Sequence, residues 1–392
     1  MIYVGIDVAK SKHDFYIAGE TGEKLAGPIT IQNHLHGYSL LLEAINQFVS
    51  SSSDVYIGLE ATGHYSNNIL HFLYKRGFTI FLLNPKQTSD IRKASTLRKT
   101  KTDKIDAKTL SAIIRAGHNT IKPYTAQSYH NEELKSLTRY RTRLVHDRAH
   151  LRVSIRRLIT ILFPEYEQVF STIHSATSYT ILLEYKDREH IAGADLSQLA
   201  RLLQQSSGGR HGIMLAHKLQ DLARHSIGTN SAIKYQELED TIRRVEELDR
   251  IILRLDQDIK GYLKESRSTI TTVPGIGNTL AASIIAEIGD ISQFSHADKL
   301  VAFAGLSPAT YQSGQFLSSQ SKMEKRGSKW LRYAIMLAAE RTAQHNAYFA
   351  RQLAKKQAEG KAYRVAISHV ARNLIRLIYR MEITGEVYHT KS

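Results

Sequence analysis

The stretch Met1-Ile2-Tyr3-Val4-Gly5-Ile6-Asp7-Val8 opens the chain with an apolar run that carries an acid near its end. A second run, Val55-Tyr56-Ile57-Gly58-Leu59, ends in the same way at Glu60. Both are rich in Ile, Val and Tyr, as strands are, and similar runs occupy 13–18 and 78–83. Helical periodicity appears at 38–49, at 66–76 and from about 102 to 116. Strands that alternate with helices predict a mixed α/β sheet in residues 1–122.

Four acids are placed so that this sheet can bring them together. Asp7 and Glu60 end strands, whereas Asp103 and Asp106 lie three apart at the start of a helix, on one face. Carboxylate oxygens are ligands for hard divalent cations. Such a site predicts Mg²⁺-assisted phosphoryl transfer, in which the metal activates the attacking oxygen and stabilises the leaving one. The pair Asp103 and Asp106 also fits a simpler interpretation, that acids favour a helix N-terminus through its dipole.

The composition indicates an anionic partner. The chain has 392 residues, with 53 Lys+Arg against 37 Asp+Glu and a net charge of +16. Such an excess is typical of proteins that bind nucleic acid or an anionic membrane. No apolar run approaches the roughly 20 residues of a membrane span, and there is no basic segment followed by a long apolar one at the N-terminus. Cysteine is absent, which excludes disulfides, thiolate metal sites and a cysteine nucleophile. We therefore expect a cytoplasmic protein with no membrane partner.

Beyond the first 122 residues the pattern is helical. Near-heptad stripes at 131–163 and 233–264 predict two long helices that pair as a coiled coil, within one chain or between two. The polar stretch 165–230 between them predicts a small helical insertion. Helices are also predicted at 278–289, 296–304, 328–345 and 361–380. The expected domains are 1–122, 123–267 and 268–392, and the fold class is α/β plus α.

Two basic stretches point to the same partner. Residues 86–122 contain ten Lys and Arg, among them Arg98 and Lys101. Residues 139–157 contain seven Arg against Asp147 alone. A run of nearly one sign repels itself unless a polyanion neutralises it, so both stretches indicate nucleic acid.

A glycine-rich turn offers a further contact. Pro274-Gly275-Ile276-Gly277 precedes an apolar helix and is similar to a helix–hairpin–helix element. The backbone N–H groups at Gly275 and Gly277 could meet a phosphate without reading a base. The turn could equally be a plain connection between two core helices.

A serine-rich segment could carry a nucleophile. Ser313 precedes Gly314, and Lys325, Arg326 and Arg332 follow, where they could neutralise a phosphate. Composition alone favours an ordinary loop, and Ser318, Ser319 and Ser321 compete for the same role.

Several motifs together resemble a known family. They are Gly5-Ile6-Asp7-Val8-Ala9-Lys10, Leu59-Glu60-Ala61-Thr62-Gly63-His64-Tyr65, Asn84-Pro85 and Lys101-Thr102-Asp103-Lys104-Ile105-Asp106-Ala107. They resemble the N-terminal domain of the DEDD/serine transposases of bacterial insertion sequences. The resemblance implies an RNase H-like (RuvC-like) domain whose four acids bind Mg²⁺. It continues in the C-terminal unit, where it implies a nucleophilic serine that Ser313 matches best.

The resemblance also implies how such an enzyme is assembled and guided. It implies a dimer or tetramer, joined through the coiled coil, in which the acids of one subunit meet the serine of another. It further implies a structured bridge RNA that chooses target and donor DNA.

The sequence thus predicts a DNA transposase/recombinase in which serine attack gives a covalent phosphoserine link. Two alternatives stay open. One is a structure-selective, Mg²⁺-dependent nuclease in which water attacks. The other is a non-enzymatic nucleic-acid-binding scaffold whose acids are structural.

Overall fold

The computed structural model describes residues 1–60, 64–83, 88, 91, 103–119, 121–266, 268–308, 312–313, 316–317, 323 and 325–389. Of these, 103–104, 126–130, 312–313 and 316–317 are described by their backbone alone. Contacts divide the chain into two units, Met1–Tyr129 and His130–Ser392. The first is a mixed α/β unit and the second is mostly helical. The predicted fold class, α/β plus α, is therefore confirmed.

A five-stranded sheet forms the first unit within the described residues. Its strands are β1 (Ile2–Val8), β2 (Lys12–Ala18), β3 (Lys24–Gln32), β4 (Val55–Glu60) and β5 (Thr79–Leu83). Their order across the sheet is β3-β2-β1-β4-β5. The first three are antiparallel neighbours, whereas β4 runs parallel to both β1 and β5. The carboxyl ends of β1, β4 and β5 consequently share one edge of the sheet.

Helices cover both faces of this sheet. Helices α1 (Leu35–Asn46) and α2 (Asn67–Tyr74) pack with the side of β1 and β4 that carries Val4, Ile6, Ile57 and Leu59. Helix α3 (Asp103–Gly117) packs on the opposite side. Because successive side chains of a strand point to opposite faces, α3 covers the odd-numbered positions of β1.

Glycine lets α3 come unusually close to the strands. A Cβ placed on Gly5 would lie 2.1 Å from the backbone oxygen of Ala107 and 2.3 Å from the backbone nitrogen of Ser111. The Ser111 hydroxyl donates to the Tyr3 carbonyl at 2.9 Å. On β4, a Cβ on Gly58 would lie 2.9 Å from the Ile114 side chain. Gly5 and Gly58 are also register partners, so the two strands form one shallow seat for the helix.

The edge strand β3 is absent from the strands that the sequence predicts. Its residues are mostly exposed, and it contains the pair Gly27-Pro28. Proline is tolerated in an edge strand because one side of that strand needs no ladder hydrogen bonds. Without alternating buried residues, its sequence lacks the period-2 pattern by which strands are recognised.

The second unit contains most of the long helix α4 (Ala126–Leu162) and all of the long helix α9 (Ala232–Glu265). Between them lie α5 (Ala176–Tyr185), α6 (Arg188–Gly193), α7 (Leu196–Ser206) and α8 (Ile213–Arg224), which form the helical insertion expected there. After α9 come α10 (Asn278–Ile288), α11 (Ala297–Phe303), α12 (Lys329–His345), α13 (Ala347–Ala358) and α14 (Tyr363–Thr384). In the described part of the chain, no helix has the length and apolar character of a membrane span.

Helices α4 and α9 pack against each other within the one chain. Leu134 meets Ile259, and Leu144 meets Ile252 and Leu255. At the far end Ile155 belongs to the same core as the N-terminal half of α9. The matched positions run in opposite directions, so the pair is antiparallel. Of the two arrangements left open by the heptad pattern, the structure has the intramolecular one.

Helix α13 is also missing from the sequence-based prediction. Asn346 ends α12 and begins α13, because its side-chain oxygen accepts hydrogen bonds from the backbone of Tyr348 (3.0 Å) and Phe349 (3.4 Å). Only Phe349 is fully buried in α13. A helix with so narrow an apolar stripe gives a weak periodic signal.

We predict that Gly5→Ala loosens α3 from the sheet. The added methyl group would overlap backbone atoms of Ala107 and Ser111, which cannot rotate away. Overpacking of this kind costs about 1–3 kcal/mol. Hydrogen–deuterium exchange should therefore become faster in the peptides covering 103–117.

The matched control is Gly193→Ala, since a Cβ there has no neighbour within 4 Å. Its exchange in the same peptides should equal that of the parent protein. Unchanged exchange in Gly5→Ala would mean that the close helix–strand contact does not hold α3 in place.

Candidate active site

Two acids lie side by side at the carboxyl edge of the sheet. The parallel register ends with Ile6 beside Leu59, and Asp7 and Glu60 are the next residues of their strands. Each is two positions after the glycine on which α3 rests, so both side chains project from the face that α3 covers. Both are half-buried.

Helix α3 runs antiparallel to these strands. Near its end, the ring of His118 lies 5.7 Å from Tyr3 and 4.9 Å from Tyr56, where β1 and β4 begin. Ala107 contacts Gly5, further along β1. The N-terminal turn of α3, which begins at Asp103, therefore points towards the carboxyl ends of the strands.

The second pair of acids lies on that turn. Asp106 is half-buried and stands one turn before Leu110, which packs against the sheet. Asp103 stands one turn before the buried Ala107, and its side chain lies outside the described residues. The backbone thus brings strand ends and helix start to one edge, as the sequence predicts.

The donor chemistry at this edge fits a hard divalent cation, since Asp7, Glu60 and Asp106 all offer carboxylate oxygens. Among the described side chains, however, no three acidic or imidazole groups come close enough together to hold a metal. The carboxylate of Asp103 is not among those side chains. What the structure supplies is therefore the common edge and the oxygen donors.

Two further side chains at this site are not predicted by the sequence. Thr88 is buried, and its hydroxyl donates to Glu60 Oε1 at 2.6 Å. Asp14 is the cross-strand partner of Asp7 and is 3% exposed. Its Oδ1 accepts a hydrogen bond from the Thr30 hydroxyl at 2.5 Å. The sequence signal for Asp14 is a charged residue inside the predicted strand 13–18. In the sheet, this position lies on the face that α3 covers.

In the second unit, Ser313 lies at the end of a short strand rather than in an open loop. It ends β6 (Gln312–Ser313) and pairs with Phe316 of β7 (Phe316–Leu317). Pro308 pairs with Met323 nearer the base. Two residues separate the strands, as in tight hairpins. Ser318, Ser319 and Ser321 lie outside the described residues.

The chain segments that flank this hairpin are held by close backbone contacts. Gly305 has φ +67° and Gly327 has φ +103°, and a Cβ on either would overlap a backbone oxygen within 2.4 Å. Arg332 Nη1 donates to the carbonyls of Ala304 (3.3 Å) and Lys325 (3.1 Å). Arg332, predicted to contact nucleic acid, therefore also fixes backbone. Lys325 and Arg326 are exposed.

A buried carboxylate joins α10 to α4 and α12 beside this region. Glu287 is 4% exposed and accepts two hydrogen bonds from Arg139, at 2.6 and 3.0 Å. It also accepts one from the Ser328 hydroxyl at 2.8 Å. Ser328 caps α12 by accepting from the backbone of Leu331 at 3.1 Å. Burial lowers the pKa of neighbouring Lys135, and the charge of Glu287 opposes that change.

The two glycines of the predicted phosphate-binding turn differ in surroundings. Gly275 has φ +95°, and a Cβ on it would lie 2.6 Å from the Arg341 carbonyl carbon in α12. Gly277 is exposed, precedes α10 and has no atom within 4 Å of such a Cβ. Close packing therefore accounts for the glycine at Gly275, whereas Gly277 stands at an open helix N-terminus.

The arginine run on α4 is neutralised within the chain, so its interpretation as a site that requires a polyanion is wrong. Six of its seven arginines pair with acids: Arg139 with Glu287, Arg141 with Asp256, Arg148 and Arg152 with Asp249, Arg156 with Glu167, and Arg157 with Glu237. Most of these acids lie on α9. Sequence patterns along α4 alone do not show them because the pairing is long-range.

Two other predicted nucleic-acid contacts cannot be placed. Arg98 and Lys101 lie outside the described residues, as does most of the basic stretch 86–102. They stay predictions.

We predict that Glu287→Gln weakens the second unit. The neutral side chain leaves the guanidinium of Arg139 without its counter-charge. The cost should be about 2 to 3 kcal/mol, below the range for a fully buried pair because Arg139 is 37% exposed. Urea unfolding can be followed by the fluorescence of Trp330, the single tryptophan, which lies 5.5 Å from the Arg139 guanidinium.

Glu237→Gln is the matched control, because its pair with Arg157 is exposed at both partners. Exposed pairs contribute about 0–1 kcal/mol. Equal losses in the two variants would show that the Glu287 network is no more important than a surface pair.

Comparison with known proteins identifies the family. A DEDD transposase model described as "Transposase" matches residues 4–164, and the model "Transposase IS116/IS110/IS902 family" matches residues 267–354. The first match contains the strand-end acids and α3, and the second contains Ser313.

Individual relatives match over nearly the full length. The IS116 insertion element protein of Streptomyces clavuligerus is 25% identical over 97% of this chain and 94% of its own length. The pilin gene-inverting protein of Moraxella bovis is 25% identical over 96% of this chain and 94% of its own. The putative transposase of the IS117 mini-circle of Streptomyces coelicolor is 25% identical over 80% and 78%. The chain therefore belongs to the IS116/IS110/IS902 family of transposases, enzymes that act on DNA.

Proposed function

We propose that this transposase cuts and rejoins DNA with a Mg²⁺ site formed by Asp7, Glu60, Asp103 and Asp106 and with a nucleophilic serine, Ser313. One observation carries the proposal: two strand-end acids and the acid-bearing turn of α3 lie at one edge of the sheet. This arrangement needs the glycine seat, the parallel register and the antiparallel course of α3 together.

We further propose that the first domain has an RNase H-like (RuvC-like) fold. The strand order β3-β2-β1-β4-β5, with three antiparallel strands and then parallel ones, supports it. The proposed functional domains are residues 1–122, 123–267 and 268–392, the last with a helix–hairpin–helix-like element at Gly275 and Gly277. The open N-terminus at Gly277 makes it the better phosphate contact of the two glycines.

A bound Mg²⁺ would supply a positive charge against the scissile phosphate and the departing oxygen. The four carboxylates would hold it by their oxygens. Thr88 restrains Glu60 through its 2.6 Å hydrogen bond and so limits the positions that carboxylate can adopt.

Attack by the serine replaces one phosphate ester bond by another, so the energy of the phosphodiester bond is conserved. The Ser313 hydroxyl oxygen bonds to phosphorus, the bond from phosphorus to the 3′ oxygen breaks, and the 3′ hydroxyl leaves with the proton. A 3′ hydroxyl from another strand can then reverse the step and release the serine. Strand exchange of this kind needs no external energy source.

The named relatives support rejoining over simple cutting. One is called a putative transposase and another a pilin gene-inverting protein. Inversion of a gene requires that every broken strand be rejoined. A nuclease that uses water would leave breaks.

We propose that the active site is composite, with acids and serine from different subunits of a dimer or tetramer, and that a bridge RNA selects the DNA. Since the apolar seam of α4 and α9 packs within the chain, another surface would join the subunits. DNA would contact Arg98, Lys101, Lys325, Arg326 and Arg332. An enzyme that acts on the genome of a bacterium would work in the cytoplasm.

We predict that a covalent protein–DNA adduct forms with the parent protein and is absent in Ser313→Ala. The linkage is trapped with a suicide substrate. This DNA is nicked so that the short strand released with the 3′ hydroxyl diffuses away and cannot reverse the reaction. The adduct is then seen as a slower band on a denaturing gel.

Ser318→Ala and Ser321→Ala are the matched controls and should retain the adduct. If the adduct survives in Ser313→Ala and disappears in one of these, the nucleophile is the other serine. If DNA is cleaved without any adduct and Asp7→Asn abolishes that cleavage, the water-dependent nuclease is correct. If none of these variants changes DNA processing, the acids are structural.

We also predict that Mg²⁺ stabilises the protein and that Asp106→Asn loses most of this effect. A ligand that binds only the folded state stabilises it by RT ln(1 + L/Kd), where L is the free ligand concentration, so the unfolding temperature rises more when the ligand binds more tightly. Loss of a ligating carboxylate should weaken binding at least as much as loss of an outer partner does, about 10-fold. The effect is measured as the difference between the unfolding temperatures in Mg²⁺ and in EDTA.

Glu43→Gln, which removes an exposed acid from α1, serves as the control and should keep the full Mg²⁺ response. A Mg²⁺ response that is identical in Asp106→Asn would place the cation elsewhere.

A further inference from the structure

Helices α13 and α14 form a hairpin with one strongly basic side. Between 347 and 372 there are six Lys or Arg and a single acid, Glu359. The basic residues are Arg351, Lys355, Lys356, Lys361, Arg364 and Arg372. The sequence patterns that indicated nucleic acid lay elsewhere, and the family match ends at residue 354. Neither the sequence patterns nor the family match therefore gives this surface a role.

The opposite side of the hairpin is buried. Phe349, Ile367, Val370, Ala371 and Leu374 all belong to the core of the C-terminal helices. Asn373 ties the two helices together by donating to Gln352 at 2.7 Å. The basic side chains are therefore displayed on a firm, packed base, and not on a free tail.

The charges on this side are poorly balanced. Glu359 is paired with Lys356, at 2.8 and 2.9 Å. Arg351, Lys361, Arg364 and Arg372 have no ion pair with a described residue. On α4, by contrast, nearly every arginine has an acid. The positive charge of α4 is thus neutralised within the chain, whereas that of the α13–α14 hairpin is not. A surface with unneutralised positive charge attracts an external anion.

An arginine of this surface contacts a histidine. Arg372 Nη2 lies 2.7 Å from His369 Nδ1, an arrangement in which the neutral imidazole accepts the hydrogen bond. Burial lowers the pKa of His369, and the charges of Arg372, Lys356 and Lys361 lower it further, against the opposing effect of Glu359. Lys356, Lys361 and Arg372 therefore lie close enough to act together on the neutral His369.

We propose that the α13–α14 basic surface, defined as Lys356, Lys361, His369 and Arg372 with the flanking Arg351 and Arg364, binds the phosphate backbone of duplex DNA. On α14 the surface extends from Arg364 to Arg372, which is about two turns or roughly 12 Å, and Lys361 precedes the helix. A row of this length matches successive phosphates better than a single nucleotide. Exposed aromatic rings for base stacking occur only at the helix starts, at Tyr348 and Tyr363, so single strands are a poorer fit.

The proposal rests on the family's action on DNA and is independent of Ser313 and of the metal. Binding is therefore measured in EDTA, where no strand is cut. Failure here would leave the catalytic proposal intact, and absence of a serine adduct would leave this one intact.

The test compares two double variants with equal loss of charge. Lys361→Gln/Arg372→Gln removes two cations from the surface. Arg210→Gln/Arg254→Gln removes two exposed arginines elsewhere in the second unit, neither of which has an ion pair with a described residue. Fluorescence anisotropy is recorded with a short duplex DNA of arbitrary sequence and with an RNA hairpin of the same length, at several salt concentrations.

We expect the first variant to bind duplex DNA about 10-fold more weakly, with the salt dependence reduced by roughly two phosphate contacts. The second variant should bind like the parent, and both should keep the Trp330 fluorescence of folded protein. The proposal is overturned if both variants lose affinity for duplex DNA equally, or if neither loses affinity. Weakened RNA binding with unchanged DNA binding also overturns it, because the surface would then belong to RNA.

Discussion

The site in the first unit depends on how closely α3 can approach the sheet. Glycine at Gly5 and Gly58 removes the Cβ atoms that would hold the helix away. The Ser111–Tyr3 hydrogen bond then fixes the position of the helix along the strands. Since Asp7 and Glu60 follow these glycines by two residues, the same contact sets the position of Asp106 along the strands relative to both acids. The position of these acids and the packing of the core therefore depend on the same contact.

The sequence predicted the parts of this arrangement that depend on local pattern. Strand ends and helix starts are marked by runs and periods, so the position of Asp7, Glu60 and Asp106 at one edge of the sheet was predictable. Asp14 was not, because its place beside Asp7 follows from the antiparallel register and not from any nearby motif. The exposed strand β3 and the thinly buried helix α13 lack the alternation by which such elements are recognised.

Charge was the least reliable guide. The arginines of α4 look like a nucleic-acid surface when the helix is read alone, yet α9 supplies most of their partners, as in Arg148 with Asp249, about one hundred residues later. The stretch 347–372 on α13 and α14, whose basic residues are poorly balanced among the described residues, has fewer arginines. Net charge along a segment therefore says little until the facing helix is known.

The two kinds of basic helix will respond differently to salt. Screening shortens the range of electrostatic attraction from about 10 Å at 0.1 M to about 3 Å at 1 M. Close pairs such as Arg141 with Asp256, at 2.9 Å and partly sheltered from water, are screened least. A high-salt wash should therefore strip bound polyanions from this protein during purification while its long helices stay paired.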